Sequence, residues 1–367
     1  MEKIESVYIH IPFCKNICSY CDFCKMFYNE KIVDDYLIAL EKEIKKIYNN
    51  DIIKTIYIGG GTPSCLTIKQ LEKLFDIVKL FKFSNKYEYT IEVNINDICE
   101  EKLKLFKKNK INRISIGIET INNKFEKFLN REINKDFFAE KINLVKKYYD
   151  NINIDLMYAF PNETIKDLEK DLEFIEKVNV PHISIYSLII EEHTKIYIDK
   201  IKPINDELEE KMYYKIISYL KKLGYIHYEI SNFAKKGYSS KHNLTYWNNL
   251  EYYGFGLGAS GYINNFRYTN TKSINNYLKE KYVYDKQLIT KKISMENEMI
   301  LGLRKIEGID KKIFFQKYNF NIEQVFDIIN LMKNKLLIDD GKKLYIPEDK
   351  LYISNCILVN FIGGSNE

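Results

Sequence analysis

Short runs of β-branched and aromatic residues recur through the first half of the chain, and apolar residues at three-and-four spacing lie between them. The runs predict strands at VYIHI (Val7 to Ile11), TIYIG (from Thr55), EYTIEV (from Glu88), RISIGI (from Arg113), INIDLMY (from Ile152) and HISIYS (from His182). The intervening stretches predict amphipathic helices, among them Tyr36 to Ile47, Ile68 to Leu80 and Leu168 to Val178. Strand and helix alternating six times predict a parallel sheet with helices outside it. Six units are too few to close an eight-stranded barrel, so the expected form is an open, partial (β/α)6 barrel of the α/β class.

The pattern changes after residue 205. A helix from Asp206 leads to GYIHYEISNFA, then to a Gly- and aromatic-rich stretch from Ser239 to Asn270 with little periodicity. From about Ser294 the pattern predicts two or three short helices, a turn at Asp340 and Gly341 and a brief strand, KLYI, resembling a small α+β winged-helix-like domain. The expected organisation is a barrel over 1–205, an extension of it over 206–293 and a small C-terminal domain over 294–367. In a parallel sheet, chemistry gathers at the carboxyl ends of the strands. Strand one here runs into a cysteine cluster, strand two into GGGTPS, strand three into Glu92 and strand four into Glu119, and strand five contains Asp155.

With 367 residues, 46% of them apolar, the chain can build a sizeable core. It has no apolar run of membrane-span length and no secretory or mitochondrial presequence pattern, so a cytoplasmic location is expected. The net charge of +5 is spread as lysines beside glutamates, as in LEKEIKK. That is the pattern of solvated helix faces, and it argues against a nucleic-acid partner.

Four of the seven cysteines, Cys14, Cys18, Cys21 and Cys24, lie close together. In a reducing compartment, clustered cysteines read as metal ligands and not as a disulfide framework. The isolated Cys65, Cys99 and Cys356 are expected to be small buried hydrophobes. A structural zinc site would want a second ligand pair, and none follows. A cubane iron–sulfur cluster held by three thiolates would leave one iron open, as catalytic metal sites do. Both alternatives stand on spacing alone.

The CxxxCxYC motif of Cys14, Cys18, Tyr20 and Cys21 resembles the radical S-adenosylmethionine (SAM) superfamily, in which three cysteines hold a 4Fe–4S cluster whose open iron chelates SAM. The segment GGGTP, Gly59 to Pro63, stands between a strand and a helix with backbone amides expected to be free for a polar ligand. It resembles the superfamily's glycine motif, which implies that Gly60, Gly61 and Thr62 lie at the SAM amino group. The same resemblance implies that Glu92, Arg131 and Asp155 hold the methionine end and ribose of SAM, and that Tyr8 lies beside the cluster. Glu119 stands where the family usually has glutamine; it can accept from a ribose hydroxyl and cannot donate. YAFPNET departs from the family's YGLPGQT by placing Ala159 where glycine is usual.

Further stretches, HIPFC, YEISNFA, HNLTYW, YGFGLGA and MILGLR, resemble the HemW-type heme chaperones, relatives of oxygen-independent coproporphyrinogen III oxidase. This resemblance implies a protein that binds heme and delivers it to heme-dependent respiratory proteins, as a monomer or homodimer, without a membrane span but compatible with peripheral membrane contact. His242 in HNLTYW, set among aromatics, is the expected heme ligand; His10 is expected either near the cluster or in a structural role. His182, His193 and His227 are expected to be structural or exposed. The alternative is the oxidase itself, oxidatively decarboxylating coproporphyrinogen III with a SAM-derived radical, so the residues leave open whether the chain is an enzyme. Two features weigh against the oxidase: its pattern is CxxxCxxCxC, whereas Phe23 stands at the place of the last cysteine here and Cys24 follows one residue later, and its N-terminal extension is not seen. An RNA-modifying radical SAM enzyme is disfavoured by the lack of a basic block.

Overall fold

The computed structural model describes residues 3–363. All six predicted strands form, each followed by a helix: β1 (Ser6–Ile11), α1 (Glu30–Ile47), β2 (Ile52–Gly60), α2 (Ile68–Val78), β3 (Lys82–Asn94), α3 (Glu100–Lys108), β4 (Arg113–Glu119), α4 (Lys135–Lys146), β5 (Ile152–Tyr158), α5 (Ile165–Val178), β6 (His182–Ser187) and α6 (Asp206–Lys222). Strands β1 to β6 pair in parallel in sequence order. Helix starts are set by side-chain caps, such as the reciprocal Thr67/Gln70 and Thr164/Asp167 boxes that open α2 and α5. Ion pairs one helical turn apart, such as Lys45–Glu41 and Lys211–Glu207, put the lysines on solvated faces as expected.

The stretch from Ser239 to Asn270 is more regular than its sequence predicts. After β7 (Ile226–Glu229) and β8 (Asn232–Ala234), it folds into α7 (Lys241–Trp247), β9 (Tyr253–Phe255), β10 (Ser260–Ile263) and β11 (Phe266–Asn270), and β12 (Val283–Leu288) follows. β9 adds in parallel to the outer side of β1, and β8 and β7 add antiparallel beyond β6, so the six-stranded core becomes a nine-stranded open sheet in the order β9-β1-β2-β3-β4-β5-β6-β8-β7. The strands are too short to show a period. Their close packing depends on glycine: a Cβ on Gly254 would stand 1.8 Å from the carbonyl oxygen of Ser260. β10, β11 and β12 form a separate three-stranded sheet. Beyond it lie α8 (Lys291–Gly302), α9 (Lys311–Tyr318), two further short helices and a small sheet of β13 (Ile309–Asp310), β14 (Ile338–Asp339) and β15 (Lys343–Tyr345). Cys65 is buried as expected, but Cys99 and Cys356 are exposed, because each stands at a helix terminus or on a helix face that no other element covers.

Glu43 ties the extension to the barrel. Fully buried on α1, it accepts hydrogen bonds from Gly256 N (2.9 Å), Asn270 Nδ2 (2.6 Å) and the Tyr277 hydroxyl. Burial pushes its carboxyl up to about 7 against the partial relief of these donors. The folded state therefore binds more protons than the unfolded chain between the ordinary glutamate pKa and about 7, and stability falls as pH rises through that window. Glu92, Asp171 and Glu229 are shifted in the same direction, so the test is a comparison. Urea melts at pH 5 and pH 8 should show wild type losing roughly 2.5 kcal/mol more than Glu43→Gln, whose amide carries no proton to lose.

Candidate functional site

Beyond β1 the chain passes Pro12 into a two-residue strand, Phe13–Cys14, which pairs in parallel with Met26–Phe27. Hydrogen bonds from Met26 N to Pro12 O (2.7 Å) and from Tyr28 N to Cys14 O (2.9 Å) close the base of the loop that carries the cysteines. Cys14 is buried at that base, and Cys18 and Cys21 are half-buried along the loop. Thr62 Oγ1 donates to Cys14 Sγ at 3.4 Å. Ser19 N to Leu129 O (3.3 Å) and Asn130 Nδ2 to Ile17 O (3.1 Å) fasten the loop to the segment that ends in Arg131.

Cys14 and Cys18 each feel Cys21, and burial raises all three thiols, Cys18 to about 11. Cys24 packs on Gly258, where a Cβ would come 2.5 Å from its own, and feels the charges of Lys272 and Lys25. No group of three or more His, Cys, Asp or Glu side chains among the described residues converges on a single metal ion. A cubane asks for something else, since each of its irons takes its own thiolate. Cys14, Cys18 and Cys21 on one pinned loop fit that donor set.

The glycine segment corrects one expectation. Its amides are not free: Gly60 N donates to Glu92 Oε2 (3.0 Å), Gly61 N to Ile11 O (2.8 Å) and Thr62 N to Phe13 O (2.8 Å). The amides lock the turn against β1 and β3. The chemistry is consistent with this, because an amino group is a donor and needs carbonyl or carboxylate acceptors. Glu92 also accepts from the Tyr57 hydroxyl (2.8 Å), and burial together with the nearby Asp155 carboxylate pushes its carboxyl up to about 7.

Glu119 and Arg131 meet as a buried ion pair, Nη1 to Oε2 at 2.5 Å, and Arg131 also donates to the Gly117 carbonyl. Tyr20 of the cysteine motif donates to Glu119 Oε1 (3.0 Å), and Glu119 sits at a register shift between β4 and β5 with φ +65°. Asp155 accepts from Ser115 Oγ (3.1 Å) and Asn153 Nδ2 (2.8 Å), and its charge is felt by both Glu92 and Glu119. Gly60, Gly61, Thr62, Glu92, Glu119, Arg131 and Asp155 thus surround one end of the sheet with the cysteine loop. Tyr8 reaches that loop through a relay: its hydroxyl bonds His10 Nδ1 (2.9 Å), and His10 Nε2 donates to Cys24 O (2.7 Å). Ala159 and Asn162, at the two positions where the resembled motif has glycine, both adopt left-handed φ, +67° and +64°. At such positions a Cβ costs about 1–2 kcal/mol and asparagine is tolerated.

The Glu119–Arg131 pair carries a prediction. Glutamine at 119 keeps an acceptor for Tyr20 but releases the guanidinium from its countercharge, leaving it free for a ligand carboxylate. Glu119→Gln should bind SAM roughly ten-fold more tightly than wild type, in line with a charge-assisted hydrogen bond of about 1.5–3 kcal/mol, as measured by equilibrium dialysis.

Several polar residues of the site escaped the reading of the sequence. Tyr57, Arg113, Ser115, Asn153 and Tyr186 alternate with isoleucines and other apolar residues along β2, β4, β5 and β6. Hydrogen bonds running from His182 through Asn153 to Ser115 show that this face is shared across strands. Arg113 is fully buried and offsets the charges of Glu92 and Asp155. The period-two recurrence of polar residues was the available signal.

His242 is corrected. It lies on α7 with Nδ1 bonded to Thr55 Oγ1 (2.8 Å) and Nε2 to the Tyr246 hydroxyl (2.8 Å), stacked on Tyr57. Thr55 precedes Gly60 by five residues of β2, about 16 Å along the strand, so His242 is anchored toward the end of β2 opposite the glycine turn. Burial holds its pKa down at about 3, and neither ring nitrogen is free for an iron. HNLTYW therefore plugs the amino-terminal end of the barrel.

The family model described as the radical SAM superfamily matches residues 8–175. The chain is 36% identical to the heme chaperone HemW of Lactococcus lactis over 99% of this chain and 98% of that one. It is 38% identical to the heme chaperone HemW of Bacillus subtilis over 98% and 100%. In structure it superposes on the coproporphyrinogen III oxidase HemN of Escherichia coli with a TM-score of 0.85 and 22% identity, covering 98% of this chain and 90% of that one, a likeness of fold.

Proposed function

Because the chain belongs to the radical SAM superfamily and, within it, to the HemW family, we propose that it is a heme chaperone that binds heme and passes it to heme-dependent respiratory proteins. The observation that carries this reading is identity of 36–38% to two heme chaperones over essentially the whole chain. Phe23, standing where the oxidase pattern places a further cysteine, supports it against the oxidase.

Cys14, Cys18 and Cys21 would hold a 4Fe–4S cluster, and Glu92, Arg131 and Asp155 would hold SAM on its open iron. The cluster supplies one iron able to chelate SAM and an electron to reduce it. The residues of this chain keep that end of the barrel polar and ordered: Thr62 donates to Cys14, Tyr57 and Gly60 fix Glu92, and Arg113 balances the carboxylates. No helix among the described residues is long and apolar enough to cross a membrane. Delivery would take place in the cytoplasm or by peripheral contact with a membrane, by a monomer or homodimer.

The test sets two activities side by side in anaerobically reconstituted protein. Hemin titration should give a saturable Soret shift, and incubation with SAM, reductant and coproporphyrinogen III should yield no protoporphyrinogen. Robust turnover of coproporphyrinogen would replace the chaperone by the oxidase.

A further inference from the structure

We propose that the cavity between the carboxyl-terminal ends of α2 and α3 is a binding site for a small apolar monocarboxylate, such as a medium-chain fatty-acid anion. The cavity measures about 320 Å³. That is at the lower end of the ~300–1,000 Å³ of small-molecule sites. Phe75 and Val78 of α2, Phe81, and Phe83 and Tyr89 of β3 give it an apolar wall, and all of these but Phe83 are buried. Tyr89 alternates with Glu88, Thr90 and Glu92 along β3, so it faces the helices from the side of the sheet opposite Glu92. The sheet therefore stands between this cavity and the site at the cysteine end, and the inference is independent of the heme-carrier reading.

Two separate features set the chemistry of the occupant. The first is an orphaned donor. Tyr89 is 1% exposed, and its hydroxyl has no hydrogen-bond partner among the described residues. Tyr89 feels the Tyr87 hydroxyl, which donates to the carbonyl of Lys110 (3.4 Å), so the orphan lies toward the Lys110 side of the wall. A buried hydroxyl left unbonded is destabilising, and an acceptor on a ligand relieves it.

The second feature is charge. Lys79, Lys108 and Lys110 are exposed at the rim, and no aspartate or glutamate is among the described residues that line the cavity. Neighbours offset part of this charge. Lys79 pairs with Asp76 (2.6 Å), and the cavity lies at the ends of two helices, where Lys79 caps α2 and Asn109 caps α3. Three ammoniums, less one carboxylate and roughly half a charge for each helix end, leave about +1, which favours a carboxylate over an amine. A carboxylate accepts from both the phenol and the ammoniums, while an aliphatic or aromatic body fills the apolar wall.

Calorimetric titration of the full-length chain with octanoate tests the site, with octanol and octylamine as the matched neutral and cationic probes. Octanoate should bind saturably and octylamine should not bind. Tyr89→Phe removes only the orphaned oxygen, so it should weaken octanoate about ten-fold, the scale of one charge-assisted hydrogen bond, without lowering the thermal midpoint of the unliganded chain. Lys108→Glu/Lys110→Glu, at two exposed positions, should abolish binding at unchanged circular dichroism. Absence of saturable octanoate binding by the wild-type chain would overturn the site. Octanol or octylamine binding as tightly as octanoate would overturn the carboxylate assignment. Wild-type affinity in Tyr89→Phe or in the double variant would overturn the part assigned to the hydroxyl or to the lysines.

Discussion

Replacing Cys14, Cys18 or Cys21 with serine should leave the protein colourless after anaerobic reconstitution with iron and sulfide, whereas Cys24→Ser should load as wild type does. A serine hydroxyl is a poor substitute for a thiolate on iron, and a cluster with only two protein ligands is not retained. The three ligand positions are not equivalent in the fold. Cys14 is buried at the pinched base of its loop and accepts from Thr62, so Cys14→Ser should also disturb the glycine turn through that contact. Cys18 and Cys21 lie on the loop itself, where the backbone bond from Cys21 N to Cys18 O (3.3 Å) survives substitution. Cys24 contributes to the fold through its carbonyl, which His10 bonds and which serine retains. Iron and sulfide content per chain reads the result, and loss of the cluster in Cys24→Ser alone would refute the three-cysteine ligand set.

Gly60→Ala should be a damaging change for a single added methyl. Gly60 has φ +113°, where a Cβ is strongly disfavoured, and the added carbon would lie 2.5 Å from the His10 ring. His10 cannot retreat cheaply, because Tyr8 holds one nitrogen and the Cys24 carbonyl the other. Backbone strain of about 1–2 kcal/mol and the loss of one or two hydrogen bonds at about 1 kcal/mol each sum to roughly 3 kcal/mol. Urea unfolding should show that loss together with loss of SAM binding, since the turn that orients Glu92 is displaced. Adding His10→Ala to Gly60→Ala should recover the steric part and leave the backbone part. A Gly60→Ala protein within 1 kcal/mol of wild type would contradict the geometry of this turn.

What the sequence by itself determined is local and periodic. β5 and β6 begin and end where their residue patterns do, and α5 starts at a Thr164/Asp167 capping box written in four consecutive residues. The three cysteines fall on one loop for the same reason, since their spacing is shorter than any element around them. Motif resemblance added the distant members, Glu92, Arg131 and Asp155, and the fold brings them to the same end of the sheet. Partner choice was decided only by tertiary structure. β9 pairs with β1 from 246 residues away, and a three-residue strand has no period to announce it. Whether Arg131 faces a ligand or Glu119 depends on a register shift between β4 and β5. His242 is the sharpest case: a histidine among aromatics carries the same local signal whether it is a ligand or a plug, and what decides is that α7 seats it against Thr55 at the amino-terminal end of β2. Periodicity reports which face of an element is buried, whereas hydrogen-bond partners depend on how elements from distant parts of the chain are placed in register, which no local pattern encodes.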